Sequence, residues 1–121
     1  MSPTDDTRTR TITLTDRPPV QIVQADWPVI ARDSQHDGRE FECQANRWWW
    51  ITVRRHADGR TIVYGRSDSN WQGEHSQHAG YLMHTYESLD VVRAIHDVSE
   101  AIDAPKRMAG QVIAELPAEV L

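Results

Sequence analysis

At 121 residues, with 39 % hydrophobic and 26 % charged side chains, the chain is long enough to bury a core as one domain without disulfides or metal. Its net charge of −5 argues against general coating of nucleic acid, and no apolar run reaches the roughly 18 residues that cross a bilayer. One cysteine, Cys43, forms no intramolecular disulfide, and Met1 to Arg10 lacks the charged start and apolar core of an export signal, so a cytoplasmic protein with no membrane partner is expected.

Met1 to Arg10 has no apolar residue after Met1 and reads as a mobile tail, with a single domain over residues 11–121. Thr11 to Thr15 alternates with period two, a short strand that turns Ile12 and Leu14 to the core. Pro18 and Pro19 break it, since neither can donate to a ladder, and Val20 to Val23 resumes an extended path. Asp26 then fits an N-cap with Pro28 in the first turn, which predicts a short N-terminal helix ending near Arg32 with Trp27, Ile30 and Ala31 inward. Asp33 to Gly38 reads as a polar loop. From Arg39 to Asn46 the alternation returns with Phe41, Cys43 and Ala45 on one face, a strand that turns tightly at Asn46-Arg47 into the next.

The stretch Arg47 to Arg66 organises the rest, because it holds two β-favouring runs on either side of Ala57-Asp58-Gly59. Successive strand side chains point to opposite faces, so Trp49, Ile51 and Val53 form one row, and Trp48, Trp50, Thr52 and Arg54 the other. A three-residue loop with Gly59 left-handed puts Val63 opposite Val53, Tyr64 opposite Thr52 and Arg66 opposite Trp50. A two-residue loop would exchange the faces of the return strand, and the first register is preferred because Val63 then joins the core row. Ser67 to Gly80 is polar and reads as a long loop, followed by a strand over residues 81–86.

Ser88 opens a helix whose Leu89, Val91, Val92, Ile95, Val98 and Ile102 keep three- and four-residue spacing. Pro105 starts a second helix, with Met108, Val112, Ile113 and Leu116 as its stripe and Pro117 at its end. The predicted class is α+β: an antiparallel meander of residues 39–46, 48–56 and 60–66, extended by 81–86 and 11–15 to as many as five strands, with both C-terminal helices on one face. Charge is divided along the chain. Residues 39–66 carry six Arg against Glu40, Glu42 and Asp58, net +3, while residues 67–121 carry nine acids against Arg93, Lys106 and Arg107, net −6.

Catalytic signatures are sparse. No Walker loop, Gly-x-Ser-x-Gly or Gly-x-Gly-x-x-Gly occurs, so a non-enzymatic protein without cofactor is expected. His75 and His78, with Glu74 adjacent and His84 downstream, are the foothold for a metal-dependent enzyme, but His-x-x-His in a loop lacks a helix to hold both rings on one side. Cys43 lies on an apolar row, where a buried thiol is the ordinary reading. Trp48, Trp50, Arg54, Tyr64 and Arg66 are the candidate partner-binding set, combining stacking surfaces with guanidinium groups. Such a set suits a protein interface, a homodimer or single-stranded nucleic acid, and equally a face covered by the chain's own helices.

Three segments, Ile12-Thr13-Leu14-Thr15-Asp16-Arg17-Pro18-Pro19-Val20, Asp26-Trp27-Pro28-Val29-Ile30-Ala31 and Leu116-Pro117-Ala118-Glu119-Val120-Leu121, resemble small accessory proteins of proteobacterial plasmids and integrative elements. The resemblance runs through most of residues 11–121 and brings no catalytic motif. It implies a binding protein of a mobile element, of the anti-CRISPR or antirestriction kind, that inhibits or modulates a host defence complex by contact.

Overall fold

The computed structural model describes residues 8–36, 47–70, 73 and 75–117. Among these residues, two antiparallel sheets and two helices make up an α+β fold. Strands β1 (Thr9–Ile12) and β2 (Val20–Val23) form a two-stranded sheet, while β3 (Val29–His36), β4 (Arg47–Arg55), β5 (Thr61–Ser69) and β6 (Gln77–Met83) form a four-stranded meander in chain order. Helices α1 (Ser88–Ala101) and α2 (Lys106–Ala114) follow.

The central hairpin has the expected register. Val53 lies opposite Val63, Thr52 opposite Tyr64 and Trp50 opposite Arg66. His56 donates its amide to the Arg60 carbonyl, which leaves residues 57–59 as the loop, and Gly59 sits at φ 98°, a conformation that costs a glycine nothing.

One face of the meander meets the helices. Ala31, Ile51, Val53, Val63 and Ala79 pack with Val91, Ala94, Ile95, Val98, Ile102, Met108 and Val112. Gly65 is part of this contact, because a Cβ there would lie 2.6 Å from Val98 Cγ1 and 2.9 Å from the Trp50 carbonyl oxygen. Trp49 is half-buried at the margin of the core rather than at its centre.

Several expectations are corrected. The N-terminal helix over Asp26 to Arg32 is absent: Gln24–Asp26 makes one 3-10 turn, and Val29–His36 is a strand. The β-branched pair Val29-Ile30 and the need of β4 for a hydrogen-bonded neighbour outweigh the local helix-start signal. Consequently β3 pairs with β4 on that side, from Val29–Arg54 to His36–Trp48, with a bulge at Ile30. The expected strand 39–46, with Phe41 and Cys43, lies outside the described residues, as do residues 1–7 of the expected tail. The tail's last residues, Thr9 and Arg10, belong to β1.

The long loop expected over residues 67–80 is shorter, since β5 continues to Ser69 and β6 begins at Gln77, pairing Ser67 with Gln77 and Arg66 with His78. That strand ends at Met83 rather than Tyr86. Residues 11–15 do not extend the meander; β1 pairs with β2. The α1 stripe loses Leu89, which is 83 % exposed in the first turn, while the helix opens at Ser88 as expected, with Glu87 at the N-cap position and its carbonyl accepting the Val91 amide.

Candidate functional site

The second face of the meander carries Arg32 and Ser34 from β3, Trp48, Trp50, Thr52 and Arg54 from β4, Ile62, Tyr64, Arg66 and Asp68 from β5, and His78, Gly80 and Leu82 from β6. The helices are not its cover. At the Arg54 end it is sealed by the β1–β2 hairpin, which packs Ile12, Leu14, Ile22 and Trp27 on Ile62, with Tyr64 and Leu82 alongside. Gly80 permits this crossing, because a Cβ there would collide with the Thr13 carbonyl oxygen, and Thr15 and Gly80 exchange bonds: Thr15 N–H to the Gly80 carbonyl at 2.8 Å, Gly80 N–H to Thr15 Oγ1 at 3.0 Å.

Beyond the hairpin the face is open and forms a groove of about 680 Å³. Its floor is Trp50, Thr52, Tyr64 and Arg66; Arg10 to Thr13 of the hairpin make one wall, and Arg32 and Glu115 stand at the β3 end. Trp50 is 38 % exposed there, a large apolar surface left in contact with water.

The expected partner-binding set divides across this boundary. Trp48, Trp50 and Arg66 lie on the open half, and Tyr64 sits at the edge of the hairpin with the Arg10 guanidinium 5.4 Å from its ring centroid. Arg54 does not belong to an exposed surface. It is only 7 % exposed and donates from Nε to the Tyr64 hydroxyl at 2.9 Å, from Nη1 to the Trp27 carbonyl at 2.9 Å and from Nη2 to Gln24 Oε1 at 3.2 Å. It ties the hairpin to the sheet.

Arg66 is also less free than its sequence position suggests. Its guanidinium lies 5.5 Å from the Trp50 ring centroid and grips Asp68 through Nε at 3.0 Å and through Nη2. That ion pair, with a further bond from the Ser76 hydroxyl at 2.6 Å and the nearby His78, holds the Asp68 carboxyl below its ordinary range and raises Arg66. The cations of the groove that carry no carboxylate partner among the described residues are Arg10 and Arg32. Neither entered the candidate set, although Arg10 shares the strand parity of Ile12 and therefore faces the sheet with it.

His75, His78 and His84 do not converge on a site: His78 is in β6 opposite Arg66, with His75 before that strand and His84 after it. Among the described residues no three His, Cys, Asp or Glu side chains gather as a metal site, and Glu74 and Cys43 lie outside those residues. Among the described residues no helix is long and apolar enough to cross a membrane. Comparison with known proteins finds no matching family, no matching curated protein and no matching solved structure.

Proposed function

We propose that this chain is a non-enzymatic binding protein that holds another protein through the groove beside the β1–β2 hairpin. The observation that carries the reading is Trp50: half of an aromatic-rich face is sealed by the chain's own hairpin, and the indole at the border is left exposed on the groove floor. Indoles flanked by guanidinium groups concentrate binding energy at protein interfaces.

Charge favours a protein partner over single-stranded nucleic acid. Arg66 is neutralised by Asp68, Arg54 is spent inside the fold, and Asp33 and Glu115 line the groove, so its field is mixed rather than uniformly positive. The partner in this reading is a host protein or complex that the chain inhibits or modulates, as the resemblance to accessory proteins of mobile elements implies.

The test is affinity capture from a lysate of the organism that encodes the chain, with wild type and with Trp48→Ala plus Trp50→Ala as baits. A partner recovered by wild type and lost by the variant, in binding that survives nuclease treatment, is the expected result. Capture that depends on co-purifying nucleic acid and is lost on nuclease treatment would favour nucleic acid, equal recovery by both baits would remove the groove from the reading, and a dimer in light scattering that Trp50→Ala dissociates would make the partner a second copy.

A further inference from the structure

The wall of the groove is a strand edge. Gln24 donates its amide to the Arg8 carbonyl at 3.0 Å, which continues the β1–β2 ladder one step past Thr9–Val23. In an antiparallel pair, bonded and non-bonded positions alternate, so Arg10 and Ile12 exchange hydrogen bonds with Ile22 and Val20, whereas Thr9 and Thr11 turn their N–H and C=O groups away from β2. Arg10, Thr11, Ile12 and Thr13 line the groove and no residue of β2 does, so this outward edge is the one that borders it. Among the described residues nothing pairs with it, since the sheet of β1 ends at β1.

Elsewhere the fold takes up part of comparable edges. On β3 the Arg32 amide meets the Glu115 carboxylate at 3.4 Å, and on β6 the Gly80 amide and carbonyl are both taken by Thr15. Folded proteins generally cap or blunt strand edges, because an open one recruits another strand. The outward edge of β1 has no such contact among the described residues and lies beside an exposed indole and two guanidinium groups without a carboxylate partner among those residues.

From this we infer that the partner docks as an extended, acidic peptide segment that adds to β1 as a third strand, its backbone bonding Thr11. The inference rests on the groove being the working surface and specifies how it is used. An added strand runs about 4.8 Å from β1, which carries it over the Trp50 and Arg66 floor. Alternate side chains of the peptide point down, where an apolar or aromatic one covers Trp50, and carboxylates meet Arg10 and Arg32. A second copy of this chain fits less well. Pairing β1 with β1 of another copy brings two Arg10 side chains into one groove, and the acids of α1, such as Asp97 and Glu100, lie on a helix rather than an extended segment.

The test uses the full chain and a phage-displayed library of random dodecapeptides, with the enriched sequences resynthesised. Acidic and aromatic or β-branched residues spaced two apart, on one face of the peptide strand, are expected, with binding weakened about tenfold or more by Arg10→Ala plus Arg32→Ala and abolished by N-methylation of alternate peptide amides. Both arginines are exposed at the surface, so the variant keeps its fold, which circular dichroism verifies. In amide exchange by NMR, Thr11 becomes protected when the peptide binds. Peptides that bind without protecting Thr11, or without acidic residues, overturn strand addition while leaving the groove as a binding surface. A library that yields no binder also overturns it. Protection of Thr11 that rises with protein concentration alone would assign the edge to a second copy. If Trp50→Ala leaves both peptide binding and partner capture unchanged, the groove itself falls.

Discussion

Arg54 donates from Nε to the Tyr64 hydroxyl at 2.9 Å across the central hairpin, with the rest of its guanidinium spent on the Trp27 carbonyl and Gln24. These three acceptors are neutral, so the buried charge is supported by hydrogen bonds to uncharged oxygens. Removing one acceptor leaves a buried donor unsatisfied, which costs about 1–3 kcal/mol. Tyr64→Phe is therefore expected to lose about that much in urea melts, and Arg54→Met, which also frees Trp27 and Gln24, to lose more. A loss in Tyr64→Phe below about 0.5 kcal/mol would show that the hydroxyl is not needed there.

Glycine substitutions should separate by location. Gly65→Ala drives a methyl against Val98 and the Trp50 carbonyl, and Gly80→Ala drives one against the Thr13 carbonyl, so each should destabilise by about 1–3 kcal/mol. At Gly110, within α2, an added methyl meets nothing within 4 Å, and Gly110→Ala should stabilise by about 0.5–1 kcal/mol through helix propensity. Thermal melts of the three variants give the order directly.

The Asp68 carboxyl is held below its ordinary 3.8, first by its bonds from Arg66 and also by the Ser76 hydroxyl. A folded value below the unfolded one means that the ionised form is preferred in the fold. The contribution is complete above about pH 5 and is lost as pH falls through the depressed value. Because Arg66 is half exposed, it amounts to no more than about 1 kcal/mol. Asp68→Asn should lower Tm slightly at pH 7, and the two melting curves should converge toward about pH 2. A gap that persists in acid would mean that the side chain acts through packing instead.

The three tryptophans of β4 should not respond alike. Trp50→Ala, at an exposed position, is expected to cost less than about 1 kcal/mol of stability while removing partner binding. Trp49→Ala should cost about 2 kcal/mol, since that ring is half-buried, and Ile51→Ala about 3 kcal/mol, since Ile51 is fully buried. Denaturant titrations that rank Trp49 above Ile51 would place the centre of the core one residue pair further toward Arg47.

What local chemistry alone determined is the central hairpin and the helices. Period-two alternation placed Ile51, Val53 and Val63 on one face, Gly59 set the loop length and with it the Val53–Val63 register, and three- and four-residue spacing placed Val91, Ile95, Val98 and Ile102 on the sheet. Each of these signals lies within a few residues of the structure it produces. Only the tertiary structure decided that Val29–His36 is a strand, because its local helix-start signal is overridden by the hydrogen bonds β4 needs from a neighbour. The same holds for the candidate site. Trp50 and Arg66 could be placed on one face from the sequence, but the burial of Arg54, the neutralisation of Arg66 by Asp68 and the arrival of Arg10 and Arg32 depend on how distant segments pack, above all on where the β1–β2 hairpin docks. Docking of that kind joins segments far apart in the chain through the fit of Ile12, Leu14, Ile22 and Trp27 on Ile62, and no periodicity within either segment encodes it.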